Sequence, residues 1–587
     1  QFRRRRGQCV VQDLVIHGDA GSDTMFGAGG VDTLLQHYRL ASAEGQALMR
    51  LAEALPRIPD RATARRLMQD LLGREWPSLQ NAHLWLRLAN DGLALYSRLS
   101  SAPQASSAYP PAQTWLGKAS QPLADKAVAL ALKALGQHFV LGETIEQALA
   151  ASAQRSRQGY LFSYDMLGEA ACTLQDALRY SAAYEHAIDQ VGKSAAAHRK
   201  ARSGDHYTLA PSISVKLSAL HPRFEALQSE RVLTELLPRL ITLMRAAARW
   251  GIALTIDAEE STRLELTLDL FEALAREPTL ANYQGMGLAV QAYNKSAPFV
   301  IDWLGALARH TDHRFMVRLV KGAYWDAEIK RAQLDGLAGY PVYTRKAYTD
   351  TAYLACARKL IDASGILYPQ FATQNAHTLA AVYVLGRHKP YEYQCLYGMG
   401  EALYDQLIGQ SPGHALNDPI GDDFDEELEH RCRIYAPVGT SSTLLAYLVR
   451  RLLENGANNA FAHRIVEPQL KLDALLADPV AQAQTHARQP TAASDLPLPA
   501  ALYLPQRPNA AGLDLSVEAN VEAMADALAE SQAQTFVAMP LIDGQALRGA
   551  HHTLHNPALG REVVGIVIDT PFSALPDAMA AAQAAAP

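Results

Sequence analysis

The chain has 587 residues, 49% hydrophobic and 19% charged, enough for several domains and a large core. Its formal net charge of −6 argues against a nucleic-acid-binding protein, though not against a local basic patch. No apolar run is long enough to span a bilayer, no signal peptide is visible, and the five cysteines form no CxxC pair, as expected of reduced cytosolic thiols.

Gln1 rather than methionine opens the chain, as in a piece of a longer protein. Residues 1–30 are atypical and are expected to lie outside the fold. Arg3–Arg6 reads as a solvated basic tail, and GDAGSDTMF with GAGGVDTLL faintly resembles calcium-binding nonapeptide repeats, too few to stack. Residues 31–154 read as a helical arm and helical domain, with apolar residues at helical spacing and a Ser/Ala/Pro-rich loop at Ser100–Pro111. No chemistry is expected there.

From 155 to 480 short strand-like runs alternate with helical segments. The runs are 160–166, 212–219, 252–260, 285–293, 314–324, 370–377, 391–398 and 433–439, with helices such as 230–250 and 349–363 between them. That count and length predict an α/β fold, a (β/α)8 TIM-like barrel. An open doubly wound sheet would favour a GxGxxG turn after an early strand, and none is present.

The strand ends are polar: Asp165, Lys216, Asp257, Gln291, Arg318, Lys321, His377, Gln394 and Tyr435. A polar residue at nearly every strand end of a barrel reads as an active-site rim, because the βα loops converge there. Beyond Tyr435 a turn leads into an amphipathic helix. On it Tyr447, Arg450, Arg451 and Glu454 are spaced by three and four, so they share one polar edge. Paired guanidinium forks suit a small carboxylate. The rim cations fit a phosphorylated or carboxylated ligand, and a flavin fits best, its pyrophosphate taken by Arg and Lys. No nucleophile elbow, P-loop or HExxH occurs, and no metal site is expected. His551, His552 and His555 read as surface histidines.

The motifs SISVKLSALHP, TIDAEES, GLAVQAYNK, RLVKGAYWDAEIKRAQ, GYPVYTRKAYTD, QFATQNAHTLA, YQCLYGMGE and RIYAPVGTSSTLLAYLVRRLLENGAN resemble the proline dehydrogenase barrel of the proline utilization A family. The resemblance runs from about residue 31 to the C-terminus. It implies FAD-dependent oxidation of L-proline to Δ1-pyrroline-5-carboxylate, the hydride passing from C5 to flavin N5 and the electrons to a quinone. By motif, Arg450, Arg451 and Lys216 would meet the substrate carboxylate and Asp257 the ring nitrogen. Leu396, Tyr324, Tyr435 and Tyr447 would wall the ring, and Glu169 resembles a gate residue. The cofactor-binding set implied is Gln291, Arg318, Val320, Lys321, Gly322, Ala323, Trp325, Thr344, Lys346, His377, Gln394 and Glu454. The family departs from this chain at QNAH (374–377) and at Ser441–Ser442. The resemblance also implies a cytoplasmic protein, peripheral at the inner face of the membrane, and a homo-oligomer is compatible with it.

Residues 481–587 read as a linker followed by the truncated start of an aldehyde dehydrogenase module, without its catalytic cysteine or NAD pocket. The second activity is therefore not expected. Residues 1–40 lack the strand and two helices of the DNA-binding module of longer family members, so no nucleic-acid partner is expected. Two other readings stay open: a flavin barrel of the methylenetetrahydrofolate reductase type, and a non-catalytic scaffold.

Overall fold

A computed structural model describes residues 140–198, 206–398, 403–405, 431–440, 477–488 and 496–586, with residues 58, 63, 66, 67 and 70. The expectations for residues 1–30, for nearly all of the helical arm, and for Tyr447, Arg450, Arg451 and Glu454 lie outside these residues. The chain divides into two compact units, 1–512 and 513–587.

In the first unit eight parallel strands close into a barrel in the order β1 to β8, with β8 pairing back onto β1. They are β1 (Leu161–Met166), β2 (Ser212–Val215), β3 (Ala253–Ile256), β4 (Met286–Gln291), β5 (Phe315–Val320), β6 (Leu367–Ala372), β7 (Glu392–Leu396) and β8 (Cys432–Val438). All eight overlap the runs expected from sequence, so the (β/α)8 reading holds. Strand β6 begins three residues before the expected run, and Pro369 sits inside it, opposite Val317.

Helices cover the outside. Before β1 lies α1 (Ile145–Arg157), and α2 (Leu174–His198) follows it. Next come α3 (Leu237–Trp250), α4 (Leu264–Ala275), α5 (Ala297–Thr311), α6 (Trp325–Leu334), α7 (Lys346–Asp362) and α8 (Ala376–Leu385). The single helix expected over 230–250 is split into Ser229–Glu235 and α3. Pro238 sits in the first turn of α3, where it lacks an amide hydrogen to continue the earlier ladder. Leu240, Leu243, Met244 and Ala247, at helical spacing, are the buried face of α3. Such side chains each contribute about 1.5–3 kcal/mol on full burial.

The barrel interior is not purely apolar. At the level of β7 and β8, Arg433 is fully buried. Its Nε donates to Glu392 Oε1 at 2.7 Å and its Nη2 to Glu392 Oε2 at 3.0 Å, while Nη1 and Nη2 also reach the carbonyls of Ala210 and Thr208. Glu392 also accepts from Gln370 and Gln394 at 2.8 and 2.9 Å. Every lone pair facing the guanidinium is thereby used, which a buried ion pair requires.

The second unit has α10 (Glu518–Gln532), a three-stranded sheet and α11 (Leu575–Ala584); in the first unit α9 (Pro479–Arg488) precedes it in the chain. The sheet order is β12 (His551–His555), β13 (Val563–Ile568), β9 (Phe536–Ala538). A two-residue turn at Asp543-Gly544, both at positive φ, joins β10 (Leu541–Ile542) to β11 (Gln545–Ala546). The three histidines lie on exposed β12, and His552 Nε2 pairs with Asp569 at 3.2 Å, as surface histidines would.

Replacing Arg433 with Met strands the Glu392 carboxylate in the barrel. The expected loss is about 3–5 kcal/mol in urea unfolding, most of it recovered in the Arg433→Met/Glu392→Gln double variant. Equal losses in the single and double variants would contradict the pairing.

Candidate active site at the carboxyl ends of the barrel strands

One guanidinium ties the mouth of the barrel together. Arg318, on β5, is 3% exposed. Its Nε donates to Gln394 Oε1 on β7 at 2.7 Å, and its Nη1 to Asp257 Oδ1 at 2.6 Å. Its Nη2 donates to Ser163 Oγ on β1 at 3.1 Å and to Ser214 Oγ on β2 at 3.0 Å. The guanidinium carbon lies 5.0 Å from the centre of the Tyr435 ring on β8. One side chain therefore contacts residues from five other strands or strand ends.

Above this layer sits a second one. Lys216 Nζ donates to Asp165 Oδ2 at 2.7 Å and lies 3.3 Å from Asp257 Oδ2. The Tyr435 hydroxyl is 2.8 Å from Asp165 Oδ2 and 2.6 Å from Asp257 Oδ2. Burial works against the charged form of all four ionisable side chains. At Asp257 burial is outweighed by Lys216 and Arg318, and the carboxyl is held below its usual range. At Lys216 the opposing carboxylates outweigh burial and raise the ammonium pKa well above its ordinary value. At Asp165, which is fully buried, burial prevails over Lys216 and pushes the carboxyl up.

The β4–β5 side of the mouth is built differently. Gln291 donates its amide to the Glu259 carbonyl at 2.8 Å and accepts the Ala323 N–H at 3.2 Å. Glu259 in turn accepts the Ser218 N–H at 3.0 Å, so this chain of bonds joins the loops after β2, β3, β4 and β5. Gly322 has φ +134, and a Cβ there would lie 2.5 Å from the Tyr293 ring, so a side chain is excluded. Trp325 Nε1 donates to the Tyr343 carbonyl at 2.9 Å and opens α6 after Tyr324. Lys321 Nζ donates to Asp350 Oδ1 at 2.5 Å, and Lys346 Nζ to Asp350 Oδ2. The Asp350 carboxyl is buried, which alone would raise its pKa, but the two ammonium groups hold it below the usual range. His377, at the start of α8, feels both lysines, and burial lowers its pKa so that it is neutral at pH 7.

The structure thus brings together Lys216, Asp257, Arg318 and Tyr435, and separately Lys321, Lys346 and His377. Val320, Ala323, Thr344 and Leu396 are half-buried on the same strand ends and loops, and Glu169 is half-buried after β1. Sequence reading placed Asp165 on the rim without a specific role and did not single out Ser163, Ser214, Glu259 or Asp350. Ser163 and Ser214 precede Asp165 and Lys216 by two residues, so they share a strand face, and Asp350 follows Lys346 by one helical turn. Those spacings were the available signals.

A polar, cation-rich mouth at the carboxyl ends of the strands lies where (β/α)8 barrel enzymes keep their active sites. The proline dehydrogenase family pattern matches residues 148–464, and the chain belongs to that family. It is 46% identical over 571 residues to the bifunctional protein PutA of Klebsiella aerogenes, covering 95% of this chain and 42% of that protein. Against PutA of Escherichia coli K12 the identity is 47% over 551 residues, covering 92% and 40%. The proline dehydrogenase of Deinococcus radiodurans is 27% identical over 347 residues, covering 57% and 90%. A crystal structure of a bifunctional PutA superposes with a TM-score of 0.67 at 40% identity, covering 93% of this chain and 52% of that one. The chain spans about two fifths of the length of the Klebsiella aerogenes and Escherichia coli proteins it matches.

A second pattern, described as the DNA-binding domain of proline dehydrogenase, matches residues 30–139. It overturns the expectation of no nucleic-acid partner. The net charge of −6 is a whole-chain average, whereas residues 30–139 carry 12 Lys and Arg against 8 Asp and Glu, a surplus of four positive charges. Among the described residues no helix is long and apolar enough to cross a membrane.

The Asp350 cluster has a definite pH signature. Its folded-state pKa lies below the unfolded value, so its contribution to stability is complete above about pH 4 and disappears as pH falls through the lowered pKa. Thermal unfolding of Asp350→Asn followed from pH 6 to pH 2 is expected to lose part of the acid-side slope seen in the parent protein. An unchanged slope would contradict the cluster.

Proposed function

We propose that this chain oxidises L-proline to Δ1-pyrroline-5-carboxylate with FAD, as the first step of proline breakdown, and passes the electrons to a quinone. The observation that carries the reading is the mouth itself: a cation and carboxylate array on β1, β2, β3 and β8 beside a second, lysine-rich array on β5, α7 and α8. Membership of the proline dehydrogenase family supports the reaction class.

The residues on the β5 side fit FAD. Two ammonium groups converge on one carboxylate, leaving a surplus of positive charge for a pyrophosphate. Gly322 lets the backbone come close to a ligand, because nothing projects from it. Lys321, Lys346, His377 and Gln291 would hold the cofactor, with Val320, Gly322, Ala323, Trp325 and Thr344 beside it and Arg318 and Gln394 forming the floor. Glu454 belongs to this set by motif alone. FAD, when bound, accepts the hydride from C5.

The chain's own residues hold the substrate. Lys216, with Arg450 and Arg451 from the segment outside the described residues, would clamp the carboxylate; Asp257 would meet the ring nitrogen. Leu396, Tyr324, Tyr435 and Tyr447 would close on the ring and exclude water, and Glu169 would pair with a clamp arginine when no substrate is bound. Orientation of C5 by these groups is the main contribution to rate. Peripheral contact with the cell membrane, a cytoplasmic location and self-association belong to the same reading. The 513–587 unit would be the start of a second, aldehyde dehydrogenase module.

Anaerobic titration of the purified protein with L-proline is expected to bleach the flavin absorbance. In Arg451→Met the apparent affinity is expected to fall by about 2 kcal/mol, roughly 30-fold, the cost of one charged hydrogen bond. Bleaching by a reduced nicotinamide but not by proline would favour a methylenetetrahydrofolate reductase-type barrel, and a colourless protein that FAD cannot reconstitute would favour a scaffold. Gly322→Ala, strained by about 1–3 kcal/mol at a positive φ, is expected to purify with much less flavin than the parent, read from the ratio of visible to ultraviolet absorbance.

A further inference from the structure

The Tyr435 hydroxyl has one proton and two carboxylate oxygens within hydrogen-bond reach, Asp257 Oδ2 at 2.6 Å and Asp165 Oδ2 at 2.8 Å. A hydroxyl donates to one acceptor at a time. The trio is therefore one proton short of satisfying both contacts. Asp165 has a second sign of the same deficit: its Oδ1 is buried with no hydrogen-bond partner. A buried carboxylate oxygen without a donor is costly, and a proton on that carboxyl lowers the cost.

The geometry points to Asp165 as the residue that holds the proton released by the substrate amine, reached through Tyr435. This deepens the proline-oxidation reading and rests on it. An amine that loses a hydride from the adjacent carbon must first free its lone pair. The N–H bond breaks and the proton goes to Asp257 Oδ2. Asp257 passes a proton to the Tyr435 oxygen as the Tyr435 O–H proton moves to Asp165. The nitrogen lone pair then becomes the second bond of C=N as the hydride leaves C5 for FAD. Charge is conserved at every stage, and Asp257 returns to its ionised form.

The groups around Asp165 favour this direction. Lys216 from the end of β2 is its ionic partner, Asp257 from the end of β3 and Tyr435 from β8 complete the trio, and Arg318 from β5 reaches Asp257. The Tyr184 hydroxyl of α2 accepts the Lys216 backbone N–H at 3.3 Å. Arg318 and Lys216 both bear on Asp257 and keep it ionised, while at Asp165 burial, joined by the nearby Asp257 carboxylate, prevails over Lys216 and the Tyr435 hydroxyl, so its proton affinity is the higher. A substrate carboxylate beside Lys216 would weaken the Lys216 attraction further. Asp165 touches no substrate in this scheme; it is a positioning and proton-holding residue.

The test is the rate of flavin reduction by L-proline, measured anaerobically from pH 6 to pH 10, with the infrared difference spectrum of the same reaction. In Asp165→Asn the rate at pH 7 is expected to fall by about 100-fold and to rise by about tenfold per pH unit toward the pKa of the free amine. Tyr435→Phe is expected to show the same shifted profile, and the double variant no further shift. In the parent protein a protonated-carboxyl C=O band is expected to appear on reduction and to be absent in Asp165→Asn. A rate lowered by one factor at every pH, or a profile like that of the parent, would overturn the proposal. So would a band that survives the substitution. If Asp165→Asn does not fold, an unshifted Tyr435→Phe profile overturns it. A parent protein never bleached by L-proline defeats the functional reading and this inference together, whereas a bleached parent with unshifted variants defeats the inference alone.

Discussion

The barrel depends on charge being balanced along its own axis. Arg318 is the centre of that balance. A guanidinium desolvated inside a protein is costly unless its N–H donors find acceptors. Here four acceptors come from Gln394, Asp257, Ser163 and Ser214, and therefore from strands spread around the barrel. Below it Arg433 and Glu392 repeat the arrangement, and above it Lys216 and Asp165 do so again. Gln394 connects the lower two levels, since it accepts from Arg318 and donates to Glu392. Ion pairs of this kind are poor sources of net stability against an apolar core. Their consequence is geometric, because each fork restricts the positions of the strands that meet it.

That restriction gives the mouth two halves with different characters. On the β1, β2, β3 and β8 side the charges lie close and share protons. They are shielded, and their distances to one another are short. On the β5, α7 and α8 side the lysines are half-buried and share the Asp350 carboxylate. The first half suits a small zwitterion whose ends differ in charge. The second suits a polyanion. The Gln291 amide stands between them, held at one end by the Glu259 carbonyl and at the other by the Ala323 N–H. Movement of one loop is thereby felt by its neighbours.

Bulk properties misled in one respect. Net charge is a sum over a chain of several parts, and a basic segment disappears inside an acidic total. Residues 30–139 carry such a segment, and they match a domain described as DNA-binding. Charge arguments about partners hold for a domain, since screening confines them to about 8 Å at physiological salt.

The barrel was legible in the chain itself. Buried parallel strands are written as short apolar runs, and eight of them alternating with amphipathic helices admit few other closed arrangements. The polar residues closing those runs were legible too, because a strand end is a local feature. Sequence alone also placed Lys216, Asp257 and Tyr435 on the rim. What it could not determine was which of these residues share a proton. Asp165, Asp257 and Tyr435 are separated by 92 and 178 residues, and only the closure of β8 onto β1 brings their oxygens within 2.8 Å. Nor did any local pattern mark Ser163 and Ser214 as acceptors for a guanidinium on the opposite wall. Local spacing records which face a side chain occupies; the partner across the barrel is decided by register and shear, which are properties of the closed sheet.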